Sequence, residues 1–209
     1  MILDRHLTYI TISLCLAANS SCTTEAQAPK SAIQNGDIIF HTSQSEQSKA
    51  IQICTESTYS HCGIIYIENG KTYVLEAVQP VKKTPFEQFV QRGEKGEYVV
   101  KRLRNAEEIL NETTLKSMKG VGEKMLGKSY DSQFNWSDEK IYCSELVWKI
   151  YERATGIQLG ELKKLKDYNF DDTRVQQVVK AKYNGNIPWE ETMISPADIF
   201  ESDKLVTVH

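Results

Sequence analysis

The sequence has little net charge and no apolar run long enough to span a membrane. Its formal net charge is −3 over 209 residues, which gives no argument for a nucleic acid as partner. The apolar run at residues 7–18 is shorter than the roughly 20 residues of a membrane-spanning helix. With 40% hydrophobic and 25% charged residues, the composition is that of a soluble globular protein of one ordinary domain.

The sequence also lacks the short motifs of metal and phosphate sites. It contains no C-x-x-C pair, no H-E-x-x-H and no G-x-x-x-x-G-K-[ST] loop. Internal repeats and low-complexity tracts are absent as well. We therefore expect neither a metal nor a cofactor, and a function that rests on the side chains themselves.

The first 22 residues have the pattern of a secretory signal. Arg5 precedes the apolar run, and small residues lead to Cys22. A cysteine there offers a lipidation site of the bacterial lipoprotein kind, although Asp4 offsets Arg5 and the leucine of a lipobox is missing. The alternative is a disordered N-terminal arm. We predict a signal at 1–22, a linker at 23–34 and a domain at 35–209, exported to the periplasm or anchored to a membrane only through a lipid on Cys22.

Cysteines are few, and their number is odd after removal of the signal. Of the 5 in the sequence, Cys15 is lost with the signal and Cys22 is lipidated or lies in the tail. Cys54, Cys62 and Cys143 remain, so at least one thiol stays free or pairs outside the domain. Whether Cys54 and Cys62 form a disulfide is left open, with two small core residues as the favoured interpretation.

Apolar periodicity and turn residues predict an α+β domain. Strands are expected at residues 36–40, 61–68, 72–78 and 98–104, and helices at 44–56, 107–126, 143–155 and from Ser195 onward. Residues 157–190 are expected to form loop and some strand. Asn69-Gly70 is typical of a tight hairpin turn. We expect an antiparallel sheet with helices packed against it.

Cys143 is predicted at the first turn of a helix, where free N–H groups and the helix dipole favour a thiolate. A nucleophilic thiolate needs an imidazole within reach. Of the 4 histidines, only His41 and His61 are internal. We favour His61, at the start of a strand and followed by Gly63, over a merely structural histidine.

An imidazole base also needs an acceptor that orients it. Glu76 is a charged residue in the apolar run that should pair with the His61 strand, and a buried carboxylate requires a partner. The alternative for Glu76 is the wet face of the sheet. The phenolic O–H groups of Tyr142 and Tyr59 are weaker candidates for oxyanion or substrate binding. Glu145 is expected to form a structural ion pair.

The order of these residues resembles a known family. The segments are Gly36-Asp37-Ile38-Ile39, Tyr59-Ser60-His61-Cys62-Gly63-Ile64, Leu75-Glu76-Ala77, Tyr130-Asp131 with Phe134, Tyr142-Cys143-Ser144-Glu145-Leu146-Val147 and Ser195-Pro196-Ala197-Asp198. Together they resemble the YiiX/YebB-like branch of the NlpC/P60 superfamily over most of residues 33–202.

This resemblance implies a circularly permuted papain-like fold, with the histidine strand before the cysteine helix. It also implies a catalytic set of Cys143 as nucleophile, His61 as base and Glu76 as orienting acid. Where the family more often has an apolar residue, this chain has Cys62. That side chain should point away from His61, so no catalytic consequence is expected.

Three functions remain open from the sequence. The first is an exported cysteine amidase or peptidase that acts, through an acyl-enzyme, on a peptide, a peptidoglycan fragment or an acyl-amine of the lysine type. The second is a lipid acyltransferase or thioesterase, as in the related lecithin:retinol acyltransferase-like proteins. The third is a catalytically dead module that binds a cell-wall fragment. The oligomeric state is also open.

Overall fold

The computed structural model describes residues 32–209 of the chain. The predicted signal at 1–22, the lipidation of Cys22 and nearly all of the predicted linker lie outside the described residues. Within 32–209 no helix is long and apolar enough to cross a membrane.

A six-stranded antiparallel sheet forms the centre of the described region. Its strands lie in the order β4-β3-β2-β1-β5-β8. They are β1 (Ile38–His41), β2 (His61–Glu68), β3 (Lys71–Glu76), β4 (Lys82–Pro85), β5 (Val99–Leu103) and β8 (Leu205–Thr207). Two short strands, β6 (Lys163–Lys164) and β7 (Thr192–Met193), form a separate antiparallel pair.

Helices surround this sheet. They are α1 (Glu46–Thr55), α2 (Phe86–Gln91), α3 (Ala106–Ile109), α4 (Glu112–Glu123), α5 (Cys143–Thr155), α6 (Thr173–Lys182) and α7 (Pro196–Phe200). Short 3₁₀ turns occupy Glu94–Gly96 and Leu165–Asp167. The predicted class, an antiparallel sheet with helices packed on it, is confirmed.

The two faces of the sheet are covered by different helices. Ile38, Ile64 and Leu75 lie on the face that packs against α5 and α4. Ile39 and Ile65, one residue along each strand, lie on the opposite face, where Phe89 of α2 covers them. Each such fully buried aliphatic side chain contributes roughly 1.5–3 kcal/mol to folding.

The β2–β3 hairpin has the predicted turn. Asn69 and Gly70 adopt φ values of 51° and 73°, the left-handed region that a two-residue turn requires. Pairing then places Gly63 beside β3, where an added Cβ would lie 2.5 Å from Val74 Cγ1 and 2.8 Å from the Leu75 carbonyl oxygen. Gly63 is therefore needed because a neighbouring strand passes close to it.

Some elements differ from the sequence prediction. The helix expected at 107–126 is divided into α3 and α4 at Asn111, whose side chain accepts a hydrogen bond from the Thr114 N–H and starts a new helix. Residues 157–190, expected to be loop and strand, contain α6. Its apolar face is thin, with Val175 as its one fully buried residue, which explains why the pattern did not reveal it.

Candidate active site

Cys143 is the first residue of α5, as predicted. Tyr142 before it is extended, with φ −106° and ψ 170°, and the Glu145 carboxylate accepts the Tyr142 N–H at 3.3 Å. Helix α5 is anchored by buried residues along its length, among them Leu146 and Ile150. The Cys143 thiol is therefore fixed at a helix N-terminus, where the backbone favours its ionised form.

The structure brings His61 and Glu76 to the same place. His61 opens β2 and Glu76 ends β3, and His61 Nε2 donates to Glu76 Oε2 at 2.6 Å. Since Nε2 is bound to the carboxylate, Nδ1 is left to face Cys143, which forms a hydrogen bond with the imidazole. The three predicted site residues thus form one connected series.

Glu76 is held in a fully buried and well-partnered position. Its side chain is 0% exposed. Thr84 Oγ1 donates to Oε1 at 2.5 Å, and Arg92 Nη2 also donates to Oε1. Burial opposes ionisation, but the bonds from His61 and Thr84 and the charge of Arg92 outweigh it and lower the Glu76 pKa to about 2. Glu76 is thus an anion and not a residue on the wet face of the sheet.

The surroundings of Cys143 and His61 favour a thiolate paired with an imidazolium. Burial alone would lower the His61 pKa, but the Cys143 thiolate and then Glu76 outweigh burial and raise that pKa to about 9. The pKa of Cys143 is lowered, first by a hydrogen bond from Cys62 and then by His61, against the effect of burial. A charged pair is the reactive form of a cysteine nucleophile.

An apolar cavity opens directly beside Cys143. Its volume is about 70 Å³. Cys143 forms part of its wall together with side chains of α1, α6 and the segment 193–196. Most of the wall is hydrocarbon, as with Ile51, Val178 and Met193, and Lys182 is the one lysine, arginine or acidic residue among those that line it.

A second, polar cleft opens beside His61. Its volume is about 400 Å³. Serine and glutamine side chains of the segment 43–48 line it together with Arg92 and Tyr130. Gln47 borders both openings, so the Cys143–His61 pair lies where they meet.

Comparisons with known proteins agree with this geometry. A sequence model of the family described as "Permuted papain-like amidase enzyme, YaeF/YiiX, C92 family" matches residues 32–209. The uncharacterized protein YiiX of Escherichia coli (strain K12) is 47% identical over 175 residues, which is 84% of this chain and 85% of YiiX. The crystal structure of yiiX from Escherichia coli O157:H7 superposes with a TM-score of 0.81 at 46% identity, over 84% of this chain and 96% of that one.

The chain belongs to the YaeF/YiiX family of permuted papain-like amidases. The resemblance seen in the sequence is confirmed at this level, and the broader NlpC/P60 name is compatible with it. The permuted papain-like fold is also confirmed. Permutation explains why the histidine strand β2 precedes the cysteine helix α5 in the chain.

The yiiX crystal structure is described as that of a metalloprotein. In this chain, no group of three His, Cys, Asp or Glu side chains within residues 32–209 is placed to hold a metal ion. Glu76 is occupied by His61, Thr84 and Arg92. The described residues therefore do not fit a metal at this site.

Cys62 has a contact with the nucleophile that the sequence prediction missed. It does point away from His61, as expected from strand alternation, and it is fully buried. That opposite face is where α5 packs, so the Cys62 thiol meets Cys143 and forms a hydrogen bond with it. The expectation that Cys62 has no catalytic consequence stays a prediction, and this contact counts against it.

Tyr130 is a further residue that sequence reasoning did not assign. Its hydroxyl accepts a hydrogen bond from Gln47 Nε2 at 3.5 Å and borders the polar cleft. Burial, followed by the Cys143 charge, raises its pKa well above the usual value, so the hydroxyl keeps its proton. Tyr130-Asp131 was among the motifs of the resemblance, which was the available signal.

The two tyrosines proposed from sequence have other partners. The Tyr142 hydroxyl accepts the Ile194 N–H at 3.2 Å, within the wall of the apolar cavity. The Tyr59 ring stacks on Phe200 at 4.2 Å between ring centroids and borders neither opening. Their oxyanion roles stay predictions.

The remaining candidates are accounted for structurally. His41 is buried beside His61, with ring centroids 5.0 Å apart, and burial followed by the His61 charge lowers its pKa to about 3. It therefore stays neutral. Cys54, Cys62 and Cys143 are all free thiols in the described region. Burial raises the Cys54 pKa to about 11, which leaves it unreactive.

Proposed function

We propose that the protein is a cysteine amidase that hydrolyses acyl-amines through Cys143, His61 and Glu76. The observation that carries this proposal is the connected series in which Glu76 holds His61 and His61 faces a thiolate at a helix N-terminus. Membership of an amidase family supports the reaction class.

The proposed reaction begins with attack of the Cys143 thiolate on the amide carbonyl carbon. Negative charge develops on the carbonyl oxygen, and the Tyr130 hydroxyl, which keeps its proton, is the candidate donor to it. The His61 imidazolium gives its Nδ1 proton to the amide nitrogen as the C–N bond breaks. The amine leaves, and the acyl group remains on the sulfur as a thioester.

Hydrolysis of the thioester completes the cycle. Neutral His61 now takes a proton from a water molecule, whose oxygen attacks the thioester carbonyl. The carboxylic acid leaves and the Cys143 thiolate is restored beside the imidazolium. Glu76 keeps its charge throughout and holds the imidazole with Nε2 toward itself, which keeps Nδ1 toward the reacting atoms.

The apolar cavity favours an acyl-amine over a cell-wall peptide as substrate. Cys143 lies in the wall of that cavity, so the acyl group bound to its sulfur would extend along hydrocarbon side chains of α1 and α6. Transfer of apolar surface out of water contributes about 25 cal/mol per Å², which rewards an alkyl chain there. A hydrophilic muropeptide gains nothing from such a wall.

The reaction is tested by hydrolysis of N-acyl-amines and muropeptides with wild-type protein and the Cys143→Ala variant. We expect hydrolysis of the acyl-amines and loss of activity in Cys143→Ala to the uncatalysed rate. Cys54→Ala is the matched control, since Cys54 is an unreactive thiol on the wall of the same cavity. Undiminished activity in folded Cys143→Ala would exclude the mechanism.

Binding of the acyl group in the apolar cavity is tested by filling that cavity with a larger side chain from α6. Val178→Trp places a large ring in the cavity, whereas Gln177→Trp places the same ring on the exposed face of the same helix. We expect Val178→Trp to lower kcat/KM for long-chain acyl-amines at least tenfold while short-chain substrates are retained. An equal loss for all chain lengths would contradict acyl binding in this cavity.

A lipid acyltransferase or thioesterase is the second candidate, and the same apolar cavity favours it. Both reactions would pass through the same Cys143 thioester. Phospholipid and acyl-thioester substrates distinguish this candidate from the amidase. If the protein turns over these substrates and no amides, the acyltransferase or thioesterase function would replace the amidase proposal. A dead binding module predicts a Cys143 thiol no more reactive toward iodoacetamide than free cysteine, whereas the thiolate–imidazolium pair predicts faster alkylation.

A further inference from the structure

The proposed binding of the acyl group in the apolar cavity gives no role to the polar cleft beside His61. The position of this cleft indicates which part of the substrate would bind there. In the proposed reaction the acyl group stays on Cys143, whereas the amine receives its proton from His61. The amine must therefore lie on the His61 side. Cys143 borders the apolar cavity and His61 borders the polar cleft, so the two halves of the substrate face different surroundings.

The charge of this cleft is of one sign. Its wall carries hydroxyls and amides, such as those of Ser43, Gln44 and Gln79, and no aspartate or glutamate. The formally charged side chains on it are Arg92 and protonated His61, and both are positive. Glu76 is fully buried, and its oxygens accept hydrogen bonds from His61, Thr84 and Arg92. The Glu76 carboxylate and the Cys143 thiolate that balance the two cations do not border the cleft. An anion in the cleft therefore meets positively charged N–H donors directly, whereas a cationic amine meets no carboxylate there.

Arg92 has the geometry to bind that anion. Its Nη2 is fixed on Glu76 and its Nε lies 3.4 Å from the Gln88 carbonyl oxygen, which orients the guanidinium. Nη1 has no partner within residues 32–209, and the side chain is 42% exposed. A guanidinium held in this way presents N–H donors that match carboxylate or phosphate oxygens.

We propose that the polar cleft is the leaving-group subsite and that it selects an amine carrying an anionic group, which Arg92 binds. This rests on the proposed amidase function and narrows its substrate to an acyl-amine whose amine half is an amino acid with a free carboxylate or an amine with a phosphate. On C–N cleavage the anionic amine leaves with the proton from His61, and the acyl group remains on Cys143.

Matched substrates test this selection. N-lauroyl-alanine and N-lauroyl-alaninamide differ only in the carboxylate, and N-lauroyl-phosphoethanolamine and N-lauroyl-ethanolamine differ only in the phosphate. We expect kcat/KM to favour one anionic member by about 10–100-fold, the range of a charge-assisted hydrogen bond. The pair with the larger ratio identifies the anion as carboxylate or phosphate. Equal or higher values for both neutral members would overturn the proposal.

Variants separate binding of the anion from support of Glu76. Arg92→Gln should lower activity on every substrate, because Arg92 also contacts Glu76, and should in addition bring the anionic-to-neutral ratio close to 1. Lys95→Gln is the matched control: it removes one positive charge nearby from an exposed residue outside the cleft wall and should leave the ratio unchanged. A ratio that survives Arg92→Gln would assign the selection to another group.

Alkylation of Cys143 tests the same anion site without any amide turnover. Iodoacetate and iodoacetamide differ in one charge. We expect the ratio of their rates on wild-type protein to exceed the ratio on free cysteine severalfold, and to fall toward the free value in Arg92→Gln but not in Lys95→Gln. If amides are not hydrolysed but the iodoacetate-to-iodoacetamide rate ratio is raised as expected, the amidase proposal fails and the anion site stands. A wild-type ratio equal to that of free cysteine would count against the anion site.

Discussion

At the scale of single residues, Cys143 receives hydrogen bonds from two side chains on neighbouring positions of one strand. His61 reaches it from one face of β2 and Cys62 from the other. This arrangement is available because Cys143 lies at the end of β2, where both faces of the strand are within reach of the α5 N-terminus. The second thiol is therefore part of the environment that keeps the nucleophile ionised.

Replacement of Cys62 should make Cys143 a weaker acid. Cys62→Val fills the buried site but removes the S–H donor, so we expect the pKa of Cys143 to rise and the acid limb of its iodoacetamide alkylation to move to higher pH. Cys62→Ser keeps a donor and should move it less. The pH profile of the alkylation rate checks this, and superimposable profiles for the wild type and Cys62→Val would show that the contact has no electrostatic effect.

The activity of the enzyme should fall in base as His61 loses its proton. The raised pKa of about 9 means that His61 is an imidazolium below that pH and neutral above it. Above about pH 9 the amide nitrogen has no proton donor, so kcat/KM should decline there. Glu76→Gln removes a carboxylate that raises this pKa, and should move the decline to lower pH and reduce kcat/KM at least tenfold, a share of the 10²–10⁴-fold of general acid–base catalysis. If Glu76→Gln leaves the basic limb of the kcat/KM–pH profile unaltered, Glu76 does not raise the pKa of His61.

At the scale of elements, α5 carries a buried ion pair just behind the nucleophile. Glu145 is fully buried, and its Oε1 lies 2.7 Å from Lys149 Nζ, the structural ion pair expected from the sequence. Burial raises the Glu145 pKa to about 7, although Lys149 acts in the opposite direction. Since Glu145 also accepts the Tyr142 N–H, its state of charge affects the start of the helix that presents Cys143.

Stability should therefore depend on pH through Glu145. Its pKa is higher in the folded chain than in the unfolded one, so the folded state holds more protons between about pH 4.5 and 7, and stability falls as pH rises through that range. Glu145→Gln retains an acceptor for the Tyr142 N–H but does not titrate. Between pH 5 and 8 we expect its thermal midpoint to fall less than that of the wild type. An equal decline in both proteins would place the titration elsewhere.

The elements that position the site were predictable because their local signals agree. Strands β2 and β3 are joined by an Asn69-Gly70 turn, and α5 has an apolar stripe that ends at Gly156, which adopts φ 73°. The break between α3 and α4 depends on one capping side chain, Asn111, inside a pattern that reads as a single helix. Helix α6 has too few apolar residues for its sequence pattern to predict a helix. It nevertheless contributes much of the wall of the apolar cavity.

The candidate site also contains residues that local sequence signals could predict and residues that they could not. Cys143, His61 and Glu76 could be proposed because each is a reactive or charged residue at a distinctive place in an element. Cys62, Tyr130 and Arg92 could not be assigned, since their contacts join β2, the loop before α5 and the end of α2, which are far apart in the chain. Only the packing of α5 against the sheet brings them to one place.

At the scale of the whole molecule, the two openings beside the Cys143–His61 pair are built from different parts of the chain. The apolar cavity is lined mainly by α1, α6 and the segment before α7, whereas the polar cleft is lined mainly by the β1–α1 loop and by Arg92, which follows α2. Cys143 and His61 lie between them. Substitutions on α6 should therefore alter preference for the acyl chain, and those at Arg92 preference for the amine, with little coupling between the two.

We propose that this catalytic domain is delivered outside the cytoplasm by residues 1–22. The proposal rests on the sequence: an arginine before an uncharged apolar run, followed by small residues that end at Cys22. A charge within that run should block export, so full-length protein should leave the cytoplasm whereas Leu14→Arg should stay there with its N-terminus intact. Fractionation and the mass of the mature N-terminus measure both.

Labelling with palmitate then distinguishes the two exported forms, because a lipoprotein carries label that Cys22→Ser abolishes and a secreted protein carries none. Either form supports export. Wild-type protein that stays unprocessed in the cytoplasm would refute it, and would place the three free thiols of the described domain in a reducing compartment, where an unpaired cysteine requires no special explanation.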